Sequence, residues 1–368
     1  VKKGPGAVRI INEYLYEQNG FRTVKKADNP EDLFLHSVLD NKRGYCLSLS
    51  VLYLSLGERL DLPLYGVVIP GHFFVRYDDG RNRFNIETTS KGANPPDEHY
   101  VEKYDIPPEG NNIYLQNLDK MQTLGCFFNN LGNSYIDTSQ PKPALKALER
   151  AVEINPALAE SRTNLGNIYL KLDRIEDAVY EYQKALAINP NNAKTHNNLG
   201  NAYHRKNWLN EAIIEYNQSI NLDPDYIDSY INLASIYIEK ESYSPAMSVL
   251  KKAAAMEPQN DSIFLQMGTV NYYLTEYDEA IAYYYKVLKI KPDSAAAYQG
   301  LGNCFSKQNH TEKQIWAYQK ALSLDSELVP AAVSLADSYF SKKEYSTAIK
   351  YYKKAAEQTE DNIIYFNL

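Results

Sequence analysis

Residues 161–190 read SRTNLGNIYLKLDRIEDAVYEYQKALAINP, and the same pattern recurs along the chain at a spacing of 34 residues. Four positions stay in phase, three of them over seven periods and the fourth over five. Small residues fill the first, at Gly132, Gly166, Gly200, Ala234, Gly268, Gly302 and Ala336. The second holds Ala144, Ala178, Ala212, Ala246, Ala280, Gln314 and Ala348, and the third Ala151, Ala185, Ser219, Ala253, Val287, Ala321 and Ala355. The fourth is proline at Pro156, Pro190, Pro224, Pro258 and Pro292.

Each position has a physical role in a repeat of two helices, A and B. The first two place small side chains where helices A and B cross closely, and the third where helix B meets the next repeat. Proline ends helix B because it lacks an N–H and disfavours helix at the preceding residue. Leucines and tyrosines recur between these positions at helical spacing, so we interpret most of the 32 tyrosines as packing residues.

The pattern resembles the tetratricopeptide (TPR) family from Gly125 to about Asn362. The resemblance implies an all-α superhelical solenoid of seven repeats, and residues 363–368 (IIYFNL) look like the start of an eighth. We therefore expect the natural chain to continue past Leu368. The solenoid is predicted to occupy residues 113–368, with Ile113–Met121 forming a helix that joins it to the preceding domain.

Asparagines recur in helix A, two residues before and one residue after the first small position. The set that forms the candidate peptide-binding site is Asn130, Asn133, Asn164, Asn167, Asn198, Asn201 and Asn232. In TPR proteins these two positions face the concave groove, so the resemblance implies a ladder of amides that binds the backbone of an extended peptide or protein partner. The alternative is that the asparagines cap or bridge neighbouring repeats. The ladder fades after Asn232, which favours the first four repeats.

The region before the repeats, residues 1–112, has a mixed helix and strand pattern. Helices are predicted at 8–18, from Asn29 onward and at 47–60, and short strands at 65–70, 71–77 and 83–88. Asp79-Gly80 favours a two-residue hairpin turn, which would place His72 directly opposite Glu87 with Cβ atoms ~5 Å apart. The stretch 92–112 is rich in Pro, Gly and Asn and predicts a loop.

Cys46 is a candidate nucleophile at the start of the predicted buried helix. The helix dipole and a neighbouring imidazolium both favour thiolate, and the first N–H groups of the helix can bind an acyl oxyanion. Glu87 would hold one ring nitrogen of His72 and leave the other for Cys46, so the candidate catalytic residues are Cys46, His72 and Glu87. Asn85 is a second candidate for orienting His72. An isolated cysteine, however, is usually a buried small hydrophobe, and an isolated strand histidine is usually structural.

Three segments carry a second resemblance: KRGYCLSLSVLYLSLGERLDLPLYGV (42–67), PGHFFVRY (70–77) and FNIETT (84–89). They resemble the transglutaminase-like, or papain-like cysteine, superfamily, and in particular a bacterial subgroup in which that domain precedes TPR repeats. The resemblance implies an α+β domain and a thiol-dependent acyl-transfer enzyme, either a hydrolase or a transamidase of peptides or proteins. The third catalytic residue of that superfamily is usually aspartate, whereas here it is Glu87, and many members of the subgroup lack the cysteine. The alternative is a non-catalytic TPR scaffold with a degenerate domain.

Composition excludes several other classes of protein. Hydrophobic residues make up 44% of the chain and the net charge is −7, with no basic stripe, so nucleic-acid binding is not expected. No apolar stretch is long enough to predict a membrane span. Cys46, Cys126 and Cys304 suggest neither a disulfide framework nor a metal site, so we expect no cofactor and no metal. Cys126 and Cys304 are interpreted as packing residues within helix A. Because the chain opens on Val1, cytoplasm and periplasm both stay open.

Overall fold

The computed structural model describes residues 4–24, 30–104, 106 and 113–358. The chain divides into two compact units, Val1–Trp208 and Leu209–Leu368. The first unit contains the α+β domain and the first TPR helices, and the second contains only TPR helices. The predicted start of an eighth repeat at 363–368 lies outside the described residues. The predicted domain boundary between residues 112 and 113 stays a prediction.

The α+β domain consists of short helices around two small sheets. Its helices are α1 Pro5–Asn12, α2 Leu35–Asn41, α3 Cys46–Arg59 and α4 Asp97–Tyr104, with a π-helix Glu13–Gln18 and 3-10 helices Pro30–Leu33 and Thr88–Ser90. The strands are β1 Arg22–Thr23, β2 Arg43–Gly44, β3 Leu64–Ile69, β4 His72–Asp78 and β5 Arg83–Ile86. β1 and β2 pair in parallel, and β3, β4 and β5 form an antiparallel sheet in that order. The predicted helices and strands of this domain are confirmed to within a few residues, except in the stretch before the repeats.

Helix α3 is buried because apolar side chains cover most of its surface. Leu49, Leu52 and Tyr53 pack with α1 and with Val75 of β4, whereas Leu47 packs with Phe74, the neighbouring residue of β4. Successive strand residues point to opposite faces of a sheet, so β4 contributes to both clusters. This alternation places His72 on the same face as Phe74, next to the N-terminus of α3.

The prediction of a two-residue turn at Asp79-Gly80 is wrong. β4 and β5 pair Asp78 with Arg83, so four residues form the loop. The carboxylate of Asp79 explains the wider turn, because its Oδ1 accepts hydrogen bonds from the backbone N–H groups of Arg81 at 2.9 Å and of Asn82 at 2.6 Å.

The register therefore differs from the predicted one by two residues. Glu87 lies just past the end of β5 and is not directly opposite His72. Because side chains alternate with a period of two, a shift of two residues keeps both side chains on the same face, whereas a shift of one would separate them. For this reason His72 and Glu87 are neighbours, as predicted, although the predicted turn is wrong.

Among its described residues, the stretch before the repeats contains a helix where a loop was predicted, and residues 113–119 do not form the predicted joining helix. Residues 97–104 form α4, with Tyr100 buried in the core. Residues 113–119 are not helical; instead, the N–H of Leu115 bonds to Val68 and the N–H of Leu118 to Gly66, so this segment lies along β3. The first TPR helix begins only at Lys120, where Asp119 and Gln122 form a capping box.

Fourteen helices follow within residues 120–356, two in each predicted repeat. They are α5 Lys120–Asp137 and α6 Pro141–Ile154, α7 Ala159–Lys171 and α8 Ile175–Ile188, α9 Ala193–Arg205 and α10 Leu209–Leu222, α11 Ile227–Glu239 and α12 Tyr243–Met256, α13 Asp261–Tyr273 and α14 Tyr277–Ile290, α15 Ala295–Lys307 and α16 Thr311–Leu324, α17 Val329–Ser341 and α18 Tyr345–Ala356. The predicted fold class, an α+β domain followed by all-α TPR repeats, is confirmed.

The small residues of the repeat pattern have the predicted role. A Cβ on Gly166 would lie 2.6 Å from the ring of Tyr182 in helix B, and one on Gly302 would lie 2.5 Å from the ring of Tyr318. The alanine positions of helix B are buried, for example Ala178 and Ala185. A proline lies two residues after the end of helix B in five of the seven repeats, for example Pro156 after Ile154. One signal was missed: the turn inside each pair contains a non-glycine residue with φ between 55° and 63°, at Ser139, Asp173, Asn207, Glu241, Thr275, Asn309 and Lys343.

Candidate active site

Cys46 is the first residue of α3, and the sequence around it fixes the helix start. Tyr45 is extended, with φ −102° and ψ −176°, and its backbone N–H donates a 3.0 Å hydrogen bond to Oγ of Ser48. The first N–H groups of a helix have no acceptor within the helix, so those of Cys46 and Leu47 are available to an oxygen of a ligand. Cys46 is half-buried, which leaves the thiol accessible.

His72 is held by Glu87. Nε2 of His72 lies 2.6 Å from Oε2 of Glu87, and only 12% and 9% of the two side chains are exposed. Glu87 is itself fixed, because its Oε1 accepts hydrogen bonds from the backbone N–H and from Oγ1 of Thr89, at 3.1 and 2.5 Å. Glu87 precedes the 3-10 helix Thr88–Ser90 and caps it. With Nε2 engaged, Nδ1 of His72 is the ring nitrogen left for Cys46.

His72 and Glu87 stabilise each other's charge. Burial lowers the pKa of His72, but hydrogen bonds with Cys46 and Glu87, together with attraction to both groups, outweigh it and raise that pKa to about 9. Burial raises the pKa of Glu87, but the hydrogen bond and charge of His72 and the Thr89 bonds bring it below its usual value. The arrangement therefore keeps an imidazolium beside the thiol at neutral pH, with a carboxylate behind it.

Two tyrosines of α4, Tyr100 and Tyr104, complete the surroundings of His72. The hydroxyl of Tyr100 donates to Oε2 of Glu87 at 3.1 Å, and its ring stacks on Phe74 with centroids 4.2 Å apart. The ring of Tyr104 stacks on His72, with centroids 5.7 Å apart and planes 3° apart. Their spacing of four residues, typical of one helix face, was the signal in the sequence.

Asn85 does not orient His72. Its Oδ1 accepts a 2.8 Å hydrogen bond from Nε of the buried Arg76, and its Nδ2 donates to Asp97 at 2.7 Å. Arg76 also donates to Asp97, at 2.5 Å, and to the carbonyl of Leu115. This network attaches α4 to the sheet, and it thereby positions Tyr100 and Tyr104.

A cavity of about 680 Å³ connects the candidate catalytic residues with the first repeats. Cys46 and His72 line it, and so do the asparagines Asn130, Asn133 and Asn164 of α5 and α7. All of these residues belong to the first compact unit. A second cavity, of about 490 Å³, lies beside His72 and is lined by Glu87, Tyr100 and Tyr104.

The asparagine positions are half-buried, and several are bonded to their neighbours, as the alternative interpretation expects. Asn130 donates to the carbonyl of Cys126, and Asn164 donates to Asn129 of the preceding repeat at 3.0 Å. Asn167 accepts from Tyr182 at 2.7 Å and from Asn198 at 2.8 Å. A side-chain amide has two N–H groups and two acceptor lone pairs, so these bonds do not exhaust it. Asn201 is half-buried as well, and so, in the second unit, is Asn232.

The other two cysteines differ from Cys46. Cys126 and Cys304 are fully buried in helix A, and burial raises the pKa of each thiol to about 12. The interpretation of both as packing residues is confirmed. Among the described residues, no group of three or more His, Cys, Asp or Glu side chains is arranged to hold a metal ion. No described helix is long and apolar enough to cross a lipid bilayer.

Comparisons with known proteins agree with this architecture. Residues 2–116 match the family model for the transglutaminase-like superfamily. TPR models match 127–158, 166–207, 193–226, 227–260, 262–294, 295–328 and 329–362.

Curated relatives are similar over part of the chain. The UPF0162 protein of Xylella fastidiosa is 26% identical over 168 residues, which cover 43% of this chain and 59% of the relative. The UPF0162 protein YchA of Escherichia coli is 29% identical over 153 residues, or 38% and 54% of the two chains. The chain thus spans little more than half the length of these relatives.

Solved structures share the fold of the repeats. A tetratricopeptide repeat protein from Parabacteroides merdae superposes with a TM-score of 0.56 at 17% identity, over 66% of this chain and 97% of that protein. At this identity the likeness shows the fold alone. The chain therefore consists of a domain of the transglutaminase-like superfamily followed by tetratricopeptide repeats.

Proposed function

We propose that this protein is a thiol-dependent acyl-transfer enzyme, acting on peptides or proteins as a hydrolase or transamidase, with Cys46, His72 and Glu87 as its catalytic triad. The observation that carries the proposal is the 2.6 Å contact between Nε2 of His72 and Glu87, which leaves the other ring nitrogen for Cys46. Nucleophile, base and orienting carboxylate are the three groups that such chemistry requires.

The first half-reaction forms an acyl-enzyme. The thiolate of Cys46 attacks the carbonyl carbon of an amide, a C–S bond forms, and the N–H groups at the start of α3 bind the oxyanion. His72 then transfers its proton to the departing nitrogen, the C–N bond breaks, and an amine leaves. A thioester on Cys46 and a neutral His72 are the products of this step.

The second half-reaction restores the enzyme. Water or an amine loses a proton to His72 as its oxygen or nitrogen attacks the thioester carbonyl. The C–S bond breaks, Cys46 leaves as thiolate, and His72 is again protonated. Water gives hydrolysis and an amine gives transamidation, and both share the same residues. Glu87 holds Nε2 throughout and stabilises the positive charge on His72.

The TPR repeats are proposed to bind an extended peptide or protein partner. Asn133 and Asn164 line both the cavity that contains Cys46 and an adjoining one of about 420 Å³ with Asn167. Amides on this path can bond a peptide backbone with little dependence on its side chains. A chain bound there would approach Cys46 directly.

The test is the rate of alkylation of Cys46 by iodoacetamide as a function of pH, in the wild type and in His72→Ala. We expect rapid reaction well below pH ~8.5, the usual titration range of a thiol, and a loss of about 10²-fold or more in His72→Ala. His36→Ala, which removes an exposed histidine stacked on Phe34, is the matched control and should react like the wild type. Slow reaction that is indifferent to His72 would refute the enzyme and favour a TPR scaffold.

A further inference from the structure

Glu160 is a charged residue that neither the triad nor the asparagine ladder uses. It lies in the first turn of α7 and lines the same cavity as Cys46 and His72. Its Oε1 accepts a hydrogen bond from the hydroxyl of Tyr114. Its Oε2 has no contact with solvent and no hydrogen-bond partner among the described residues.

An unpartnered carboxylate oxygen in this position is unfavourable. A buried oxygen without a donor loses its hydration and gains nothing in exchange, at a cost larger for a charged group than for a neutral one. Burial accordingly raises the pKa of Glu160, against the lowering effects of the Tyr114 bond and of the backbone N–H of Glu160 itself. The other charged side chains that line the cavity are His72, Asp137 and Lys194, and none of the described ion pairs joins any of them to Glu160. The carboxyl is therefore poised for a donor from a ligand.

The surroundings of Glu160 indicate what kind of ligand fits. The residues that line the cavity include the apolar side chains Val68, Ile69, Phe73 and Leu158. Lysine and arginine have an apolar stem and a cationic end, so they can cover such a wall while the charge reaches a carboxylate. A neutral donor would gain only the hydrogen bond, and an acidic side chain would be repelled.

We propose that Glu160 is a specificity site for a cationic side chain, lysine or arginine, of the peptide that reacts with Cys46. The proposal rests on the proposed acyl-transfer function and adds the substrate class to it. The Glu160 carboxyl accepts a hydrogen bond from the charged N–H group, and the apolar lining residues contact the methylene chain. The substrate is then a basic peptide segment, held by the first repeats and presented to the thiol.

The experiment uses matched peptide electrophiles on the full chain. Tetrapeptide acyloxymethyl ketones are prepared in pairs, with lysine or norleucine at each position in turn, and the rate of labelling of Cys46 is measured by mass spectrometry. Norleucine has the same stem as lysine without its charge. We expect the wild type to prefer lysine over norleucine roughly tenfold at one position, equivalent to about 1.4 kcal/mol. Glu160→Gln should bring that ratio close to one.

Two further variants separate a specific effect from a general one. Glu176→Gln makes the same change on a side chain that is 77% exposed and outside the cavity, and should keep the lysine preference. Glu160→Asp keeps the charge and should retain part of the preference, provided that circular dichroism shows both Glu160 variants to be folded.

The outcomes for this site and for the enzyme are distinct. Labelling of Cys46 by iodoacetamide without any lysine preference, or with a preference that survives Glu160→Gln, overturns the specificity site alone. A Cys46 that reacts with neither iodoacetamide nor any peptide overturns the proposed function and the site together.

Discussion

The α+β domain and the TPR repeats use their residues in opposite ways. In the repeats, one contact recurs: a glycine of helix A lies against a tyrosine of helix B at Gly166 and again at Gly302. In the domain, each polar residue of the site has a task of its own, and Glu87 alone accepts bonds from His72, Thr89 and Tyr100. A repeated contact distributes its energy over many equivalent residues. A unique contact has no substitute, so we expect changes at the site to be close to all-or-none and changes in the repeats to be graded.

The largest expected effect separates the three cysteines. Iodoacetamide should label Cys46 at least about a thousandfold faster than Cys126 or Cys304, because a pKa of about 12 leaves the two buried thiols almost without thiolate at neutral pH. Labelling is followed peptide by peptide with mass spectrometry. In concentrated guanidinium all three should react alike, which controls for their peptide context. If Cys126 or Cys304 reacts within tenfold of Cys46 in the folded protein, the two regions do not differ in the way described.

The same difference explains how far the sequence could predict each region. Small residues and prolines in phase predicted the repeats because each position recurs along the chain. One departure such as Gln314 therefore does not obscure the pattern. Turn residues are too varied to show such a pattern, since Ser139, Asp173 and Glu241 share a left-handed backbone without sharing a side-chain type. The end of helix B followed from the proline position in the same way.

The site was predictable only in part. Residue types and strand alternation were enough to bring Cys46, His72 and Glu87 to one place. The register between β4 and β5 was not predictable, because it depends on hydrogen bonds from Arg81 and Asn82 to a single aspartate, Asp79. Tertiary contacts outside any local pattern decide such details.

Tyr104 and Glu160 were missed for a related reason. Tyr104 stacks on His72, 32 positions earlier in the chain, and Glu160 accepts its bond from Tyr114, which lies 46 positions earlier, before the first repeat. Neither contact has a periodic signal, and a glutamate in the first turn of a helix is common because it favours the helix dipole. Only the folded structure distinguishes Glu160 from the many exposed glutamates.

A medium effect is expected at Glu87. Glu87→Gln keeps an acceptor for His72 but removes the negative charge. Hydrogen bonds to charged groups contribute about 1.5–3 kcal/mol. Alkylation of Cys46 at neutral pH should therefore slow about ten- to hundredfold. Glu87 contributes to raising the pKa of His72 to about 9. Without it that pKa falls, so the imidazolium is lost at lower pH and the upper inflection of the pH profile moves down from about 9. Glu98→Gln, an exposed residue of α4, is the control. An inflection that stays near 9 would show that Glu87 does not set the charge of His72.

The smallest effect is expected in the asparagine ladder, and it is the strictest test of the comparison between the α+β domain and the repeats. Asn164→Ala removes one amide from the cavity, and one hydrogen bond is worth about 0.5–1.5 kcal/mol. The ratio of peptide-electrophile labelling to iodoacetamide labelling should therefore fall only about two- to tenfold, and combining Asn133→Ala with Asn164→Ala should multiply the loss. Asn217→Ala, on the exposed surface of α10, is the matched control and should leave the ratio as in the wild type. A hundredfold loss from Asn164→Ala alone would make this residue as irreplaceable as His72, and the repeats would then share the all-or-none behaviour of the site.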